Sequence, residues 1–199
     1  MYVFMYMIVI GIDPGIRNLG WSVYDTSAGH FLSFGRYDLL KDQPKAKHTK
    51  YAYLVKCFVD ASKDVFDKAD AVCIEIQMMA KFKVIATAFQ CFFWEKSYEV
   101  SPRSVRCHFD ISKKNYAKNK KASVDIVPSL SISTQNKNWF QRFDKKKRDD
   151  VADAMLIALY WTEVKSPDAK PPPPKKRKRK MTKAKTTKRA RVFKTTLKD

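Results

Sequence analysis

Ile8-Val9-Ile10-Gly11-Ile12-Asp13-Pro14-Gly15 is the stretch that decides the fold, because an apolar, β-branched run ends there on a single carboxylate. A run of this kind is typical of a strand buried on both faces of a sheet. Asp13 is then expected near the centre of that sheet, where an unpaired charge is costly. A bound cation is the simplest reason for a carboxylate there, and capping of the turn at Pro14 and Gly15 is the alternative.

The patterns that follow predict an α/β fold around this first strand, at residues 4–13. Alternating segments at 19–25 and 31–38 follow short connections, which indicates an antiparallel meander. Helical spacing or apolar runs then predict helices at 51–66, 80–95 and 148–164, and short strands at 71–76 and 97–100. The right-handed crossover rule is compatible with a five-stranded mixed sheet in the order 3-2-1-4-5. Asp13 would then lie on the central strand and Glu75 on its parallel neighbour.

Two polar regions before the last helix are predicted to be largely irregular. Residues 103–123 are basic and irregular or partly helical, and a helix at 122–127 is stopped by Pro128. Residues 129–147 are predicted to be a loop, anchored by Trp139 and Phe140.

Charge divides the chain into two parts. The formal net charge is +20, and residues 165–199 carry 15 Lys and Arg against 2 Asp and Glu, whereas the other 164 residues carry 25 against 18. Both parts are basic, which indicates nucleic acid as the partner; an anionic membrane surface is the alternative, without a lipidation signal or long apolar span to support it. Composition predicts a folded domain at 1–165 and a disordered Pro-, Lys- and Arg-rich tail at 166–199.

The predicted tail contains a stiff proline spacer at 171–174 and a basic hexamer from Lys175 to Lys180. The hexamer is typical of a nuclear import signal or of an arm that clings to DNA, and a merely solubilising tail is the third interpretation. At the other end, the apolar start has no basic segment or small-residue cleavage site, so it is interpreted as the first strand and the protein as not secreted.

Four cysteines, Cys57, Cys73, Cys91 and Cys107, are far apart and form no Cys-x-x-Cys pair, which argues against a zinc site. Each has apolar or mixed neighbours in sequence. Buried free thiols in a reducing compartment are therefore expected.

Acidic residues recur in settings that could bring them together. Asp13 and Glu75 lie on adjacent predicted strands, and Asp150 and Asp153 share one face of the last helix. Acids in a first helical turn are also ordinary capping residues, a role that Asp149 could fill instead. If the four acids converge, they cannot all ionise without cations, and oxygen ligands select Mg²⁺ or Mn²⁺. Two such ions about 4 Å apart can activate water and stabilise the leaving oxygen of a phosphodiester.

The acids stand in three motifs that together resemble the RuvC-type Holliday junction resolvases. The motifs are Gly-Ile-Asp13-Pro-Gly-Ile-Arg-Asn-Leu-Gly-Trp, Ile-Glu75-Ile-Gln and Arg-Asp-Asp150-Val-Ala-Asp153-Ala, and the resemblance covers roughly residues 6–164. It is closest to the resolvases of poxviruses and related large DNA viruses, with the mitochondrial resolvases nearby. The resemblance implies a ribonuclease-H-like fold in which Asp13, Glu75, Asp150 and Asp153 are the catalytic acids and metal ligands.

The resemblance also implies lysines near the scissile phosphate. Lys121-Ala-Ser-Val124 fits the family's Lys-x-x-Val pattern, so Lys121 is predicted to be catalytic. An upstream lysine in the same loop is either Lys113 or Lys114, and Lys118 and Lys120 complete the predicted nucleic-acid-binding set. A solvated basic loop is the alternative.

The implied activity is that of a crossover junction endonuclease acting in DNA recombination, replication and repair. It would use two Mg²⁺ ions per site, with Mn²⁺ able to substitute, and place symmetric paired nicks in four-way junctions. The implied setting is the nucleus or the site of viral DNA replication in an infected cell. An RNase H-like nuclease acting on RNA–DNA hybrids or on branched or flap DNA is one alternative, and a non-catalytic DNA-binding protein of the same fold is another.

The helix at 80–95 has more apolar positions than docking on a sheet requires. Val84, Phe89 and Phe92 are among them. Two layers of the same chain could cover this helix. A two-fold interface, which the resemblance favours, predicts a homodimer with Phe89 or Phe92 as its central anchor.

Overall fold

A five-stranded mixed sheet is the centre of this computed structural model, which describes residues 6–41, 50–113, 115–130, 133–144 and 147–166. The strands are β1 (Ile8–Asp13), β2 (Leu19–Asp25), β3 (His30–Tyr37), β4 (Ala71–Glu75) and β5 (Ser97–Val100). Their order is β3-β2-β1-β4-β5, with β1, β2 and β3 antiparallel and β4 and β5 parallel to β1. The predicted sheet order is confirmed. The predicted tail beyond residue 166 lies outside the described residues.

Seven α-helices surround the sheet in the described part of the chain. They are α1 (Tyr51–Ala61), α2 (Lys63–Phe66), α3 (Ala80–Phe92), α4 (Pro102–His108), α5 (Tyr116–Ile126), α6 (Thr134–Arg142) and α7 (Arg148–Val164), and a 3₁₀ turn at Val127–Ser129 follows α5. The helix predicted at 51–66 is divided at Ser62 into α1 and α2.

The loop predicted at 129–147 is wrong, because it contains α6. The Ser133 side chain caps α6 by accepting the Asn136 backbone N–H. The buried Asn136 amide in turn accepts the Phe31 N–H at 3.1 Å and donates to the Phe31 carbonyl at 2.9 Å, which pairs α6 with β3. Phe140 is fully buried, as its predicted anchoring role requires. The hydrogen bonds to Phe31 and the burial of Phe140 together hold the helix against the sheet.

The two faces of β1 contribute to two different hydrophobic cores. Ile8, Ile10 and Ile12 pack in the core formed with α1 and α3, whereas Val9 packs in the core formed with α7. Burial on both sides explains the uninterrupted apolar run of this strand.

Helix α7 lies unusually close to β1 and β2. A Cβ placed on Gly11 would be 2.1 Å from the Ala154 carbonyl oxygen, and one on Gly20 would be 2.1 Å from the Asp150 carbonyl oxygen. Ser22 Oγ donates a 3.0 Å hydrogen bond to the same Ala154 oxygen. The two glycines thus let the start of α7 lie against the end of β1.

The cysteines are free thiols, but only Cys73 is buried; the other three are exposed on helices. The prediction of four buried thiols is therefore wrong for Cys57, Cys91 and Cys107. In α1, for example, the neighbouring Phe58 is buried in the core whereas Cys57 faces solvent. In the described ranges, no helix is both long and apolar enough to cross a membrane.

Candidate functional site

A cleft of about 850 Å³ opens at the ends of β1 and β4. Two turns, Pro14–Asn18 and 76–79, form part of its wall, together with the starts of α3 and α5. All four predicted acids line it, with a set of cationic side chains: Asp13, Glu75, Asp150, Asp153, Arg17, Lys81, Arg106 and Lys120.

The backbone explains how the four acids meet. Asp13 and Glu75 are the last residues of neighbouring parallel strands, whose register pairs Ile12 with Ile74. Their side chains share a hydrogen bond. Asp150 and Asp153 lie in the first turns of α7. This helix can approach β1 closely because Gly11 and Gly20 have no side chains.

Burial and mutual repulsion raise the pKa values of these acids. Burial raises the pKa of Asp13 well above its usual value, and the charges of Glu75, Asp153 and Asp150 add to the effect. Burial also raises the pKa of Asp153 to about 7, with a contribution from the Glu75 charge, and that of Asp150 to about 6, with a contribution from the Asp149 charge. Burial raises the pKa of Glu75, although hydrogen bonds with Gln77 and Asp13 act in the opposite direction. Four carboxylates in this setting need positive charge to ionise together.

The donor set fits a hard divalent cation, because it consists of carboxylate oxygens. Within the ranges that the structure describes, however, no group of three or more His, Cys, Asp or Glu side chains is arranged closely enough to hold a metal ion. Asp13 and Glu75 are in direct contact, whereas Asp150 and Asp153 act on Asp13 through their charges.

Neighbouring polar side chains orient two of the acids. Gln77, predicted to point the same way as Glu75, donates a 2.7 Å hydrogen bond from Nε2 to Glu75 Oε2. Ser123 is buried and its side chain bonds Asp153.

The positions of the lysines differ from what the Lys-x-x-Val pattern at Lys121 predicts. Lys120 lines the cleft and forms an ion pair with Asp149, whereas Lys121 is exposed and is not part of the cleft wall. Lys113 and Lys118 are exposed, and the backbone N–H of Lys113 donates to Asn119 Oδ1. Lys114 lies outside the described residues.

Arg106 is a cleft residue that sequence reasoning missed. It belongs to α4 and its charge acts on Glu75. The motif around it, Pro-Arg-Ser-Val-Arg, gives no local signal, since only the packing of α4 on α7 brings it to the acids.

Comparisons with known proteins identify a matching family model and solved structures of similar fold. Residues 7–165 match the family model described as "Poxvirus A22 protein". A search of the curated proteins found no match. Among solved structures, the fowlpox virus Holliday junction resolvase has a TM-score of 0.57 at 19% identity, covering 79% of this chain and 98% of its own. The yeast mitochondrial Holliday junction resolvase Ydc2 has a TM-score of 0.59 at 16% identity, covering 77% and 78%. Thermus thermophilus RuvC has a TM-score of 0.51 at 19% identity, covering 78% and 93%.

Similarity at these identities shows a shared fold, and it confirms the predicted ribonuclease-H-like architecture and the resemblance to RuvC-type resolvases. The family match goes further, because it spans nearly all of the described residues. The chain therefore belongs to the Poxvirus A22 protein family.

Proposed function

We propose that this chain is a Holliday junction resolvase, a metal-dependent endonuclease that makes symmetric paired nicks in four-way DNA junctions during recombination and replication. The observation that carries the proposal is the set of four half-buried acids in one cleft, whose charges raise one another's pKa values, in a chain of this family. A protein that only bound DNA would gain nothing from repelling phosphate with carboxylates.

The proposed metal ligands are Asp13, Glu75, Asp150 and Asp153, and the proposed ions are two Mg²⁺, with Mn²⁺ able to substitute. When bound, such ions activate water and stabilise the leaving 3′ oxygen of a phosphodiester. The chain itself orients the carboxyl of Glu75 through Gln77 and that of Asp153 through Ser123.

Cations around the cleft would hold the DNA backbone with little base readout. Arg106 and Lys120 lie nearest the acids in this proposal, because their charges act on Glu75. Lys121, Lys118 and Lys113 remain proposed DNA contacts outside the cleft wall, where they would neutralise phosphates further along an arm of the junction. Lys114, which lies outside the described residues, is proposed to contact DNA as well.

The test is incubation of the full chain with a mobile four-way junction and Mg²⁺, followed by mapping of the nicks. Paired nicks at symmetric positions, leaving 5′-phosphate ends, are expected. Two parallel reactions use an RNA–DNA hybrid and a flap DNA of the same sequence as substrates. Faster cutting of either one than of the junction would assign the chain to the RNase H-like alternative, and no cutting of any substrate would indicate a DNA-binding protein.

Divalent cations are expected to stabilise the folded chain more at about pH 8 than at about pH 5. The pKa values of Asp150 and Asp153, about 6 and about 7 in the fold, exceed their ordinary value of 3.8. Raised folded pKa values stabilise the fold below pH 3.8, and this contribution is lost as pH rises through 6 to 7. A cation relieves the resulting repulsion, whereas at low pH protons compete with it.

Thermal denaturation with and without Mg²⁺ or Mn²⁺ across this range measures the effect. The Asp150→Asn/Asp153→Asn double variant is the control and should lose most of the cation-dependent shift. An equal shift at both pH values, or one retained in the double variant, would contradict a cation site at these acids.

We also propose a homodimer through α3. Phe89 is fully buried in its own chain, so it is unavailable as the predicted anchor, but Phe92 is 43% exposed. Val84, Cys91 and Trp94 are exposed beside it on α3 and at its end. A two-fold arrangement would also place two acidic clefts on the two strands of a junction.

Phe92→Glu is expected to give a folded monomer that makes unpaired nicks, because a carboxylate at the centre of an apolar interface is costly to bury. Sedimentation at micromolar concentration and nick mapping measure the result. Leu32→Glu, which places the same charge on an exposed apolar position of β3, should remain dimeric. A wild-type monomer with paired nicking intact would rule out the dimer.

We assign the catalytic domain to residues 1–165 and a basic arm or nuclear import signal to residues 166–199, on the strength of their composition. A basic arm supplies salt-sensitive, non-specific DNA affinity. The proposed location is the nucleus or the site of viral DNA replication.

A further inference from the structure

Asp149 is an acid beside the proposed metal ligands that has no role in the reaction as described so far. It precedes Asp150 in α7, so its side chain points about 100° away around the helix axis. Asp150 lines the cleft, whereas Asp149 does not. Asp149 instead faces α5, where its carboxylate pairs with the ammonium of Lys120.

The carboxylate of this ion pair is largely shielded from solvent, whereas the lysine side chain is more exposed. The side chain of Asp149 is 13% exposed, and that of Lys120 is 36% exposed. Lys120 also lies over the ring of Tyr116, one turn earlier in α5, with 5.4 Å between Nζ and the ring centroid. The ammonium is thus in contact with Asp149 and with the Tyr116 ring, on a residue that lines the cleft.

A second contact ties the same two helices together. Ser123, three residues after Lys120 on α5, bonds Asp153, four residues after Asp149 on α7. Lys120 and Ser123 of α5 therefore contact Asp149 and Asp153 of α7, respectively. This double contact sets the position of Lys120 relative to the acids of α7.

We propose that Asp149 is a positioning residue that holds the Lys120 ammonium at the cleft wall, so that Lys120 contacts the scissile phosphate; this rests on the proposed function. A free lysine side chain has four rotatable bonds and loses entropy when it is ordered on a ligand. An ammonium already held beside the acids avoids that cost and presents a preorganised charge to the reacting phosphate. Asp149 does not touch DNA in this arrangement and acts through Lys120.

Ordinary helix capping is the competing role for Asp149, since it lies in the first turn of α7. The two roles predict different measurements. A capping acid would contribute to stability whether or not Lys120 is present. A positioning acid would affect the rate of cutting, and only when Lys120 is present.

The experiment measures single-turnover cutting of a saturating four-way junction by the full chain with Mg²⁺. Asp149→Asn should slow cutting roughly 10- to 100-fold, the range found when residues that orient a site are removed. Junction affinity should not fall, because a negative charge is lost. Asp149→Glu should recover much of the rate, since it keeps a carboxylate for Lys120. Asp125→Asn, which removes an exposed acid of α5 outside the cleft wall, should cut at the wild-type rate.

The decisive comparison is the double variant Asp149→Asn/Lys120→Met. It should cut no more slowly than Lys120→Met alone, because the positioning residue then has nothing to position. Additive losses in the double variant, or a wild-type rate in Asp149→Asn, would overturn the inference while leaving the proposed function intact. A wild-type chain that cuts no junction would overturn the proposed function first and this inference with it.

Discussion

Asp13→Asn is expected to reduce junction cleavage by several orders of magnitude while the variant still binds junctions. Asp13 is the last residue of the central strand and interacts with the other three acids of the cleft. An amide keeps the shape of the side chain but supplies no negative charge to hold a cation against the phosphate. Binding should persist or tighten, because one carboxylate fewer repels the DNA backbone.

The same outcome is expected for the other three proposed ligands, replaced one at a time as Glu75→Gln, Asp150→Asn and Asp153→Asn. Cleavage with Mg²⁺ and binding without it are measured on the same junction, so that the two properties separate. Asp64→Asn, an exposed acid in the first turn of α2, is the matched control and should cut normally. Near-wild-type nicking by any two of the four variants would refute the assignment of the site.

Gly11→Ala is expected to destabilise the fold severely. The added Cβ would lie 2.1 Å from the Ala154 carbonyl oxygen and 3.1 Å from the Ala158 nitrogen, both of them backbone atoms of α7. Backbone within a packed helix cannot yield as a flexible side chain can, so α7 would have to move away from β1. Because the clash is with backbone, the loss in the free energy of unfolding should reach the upper end of the range for overpacked cores, about 3 kcal/mol or more. Since α7 carries Asp150 and Asp153, cleavage should fall with stability.

Chemical denaturation gives the free energy of unfolding for this variant. Gly29→Asn is the control, since Gly29 has a φ of +64° and open space around its Cβ position. Asn tolerates that backbone conformation, so the control should stay close to the wild type. A wild-type denaturation midpoint for Gly11→Ala would contradict the close approach of α7 to β1.

Local sequence patterns determined the sheet and its acids. The β-branched run at Ile8–Asp13 requires burial on both faces, and both cores do cover it. Short connections and the handedness of crossovers were compatible with the strand order 3-2-1-4-5, which places Asp13 beside Glu75 and which the structure has. Helical spacing put Asp150 and Asp153 on one face. Each of these features depends on neighbours in the sequence or on a general rule of chain topology, so no knowledge of distant contacts was needed.

Tertiary structure alone decided which side chains complete the cleft. Lys120 and Lys121 are adjacent in sequence, and the packing of α5 on α7 brings the first to the acids and leaves the second exposed. Arg106 acts on Glu75 only because α4 packs on α7 at the edge of the cleft. Phe89 and Phe92 are equally apolar, yet one is buried and the other exposed. The physical reason is the same in each case: a periodic pattern defines the faces of a helix, but the element packed against it determines which face is covered.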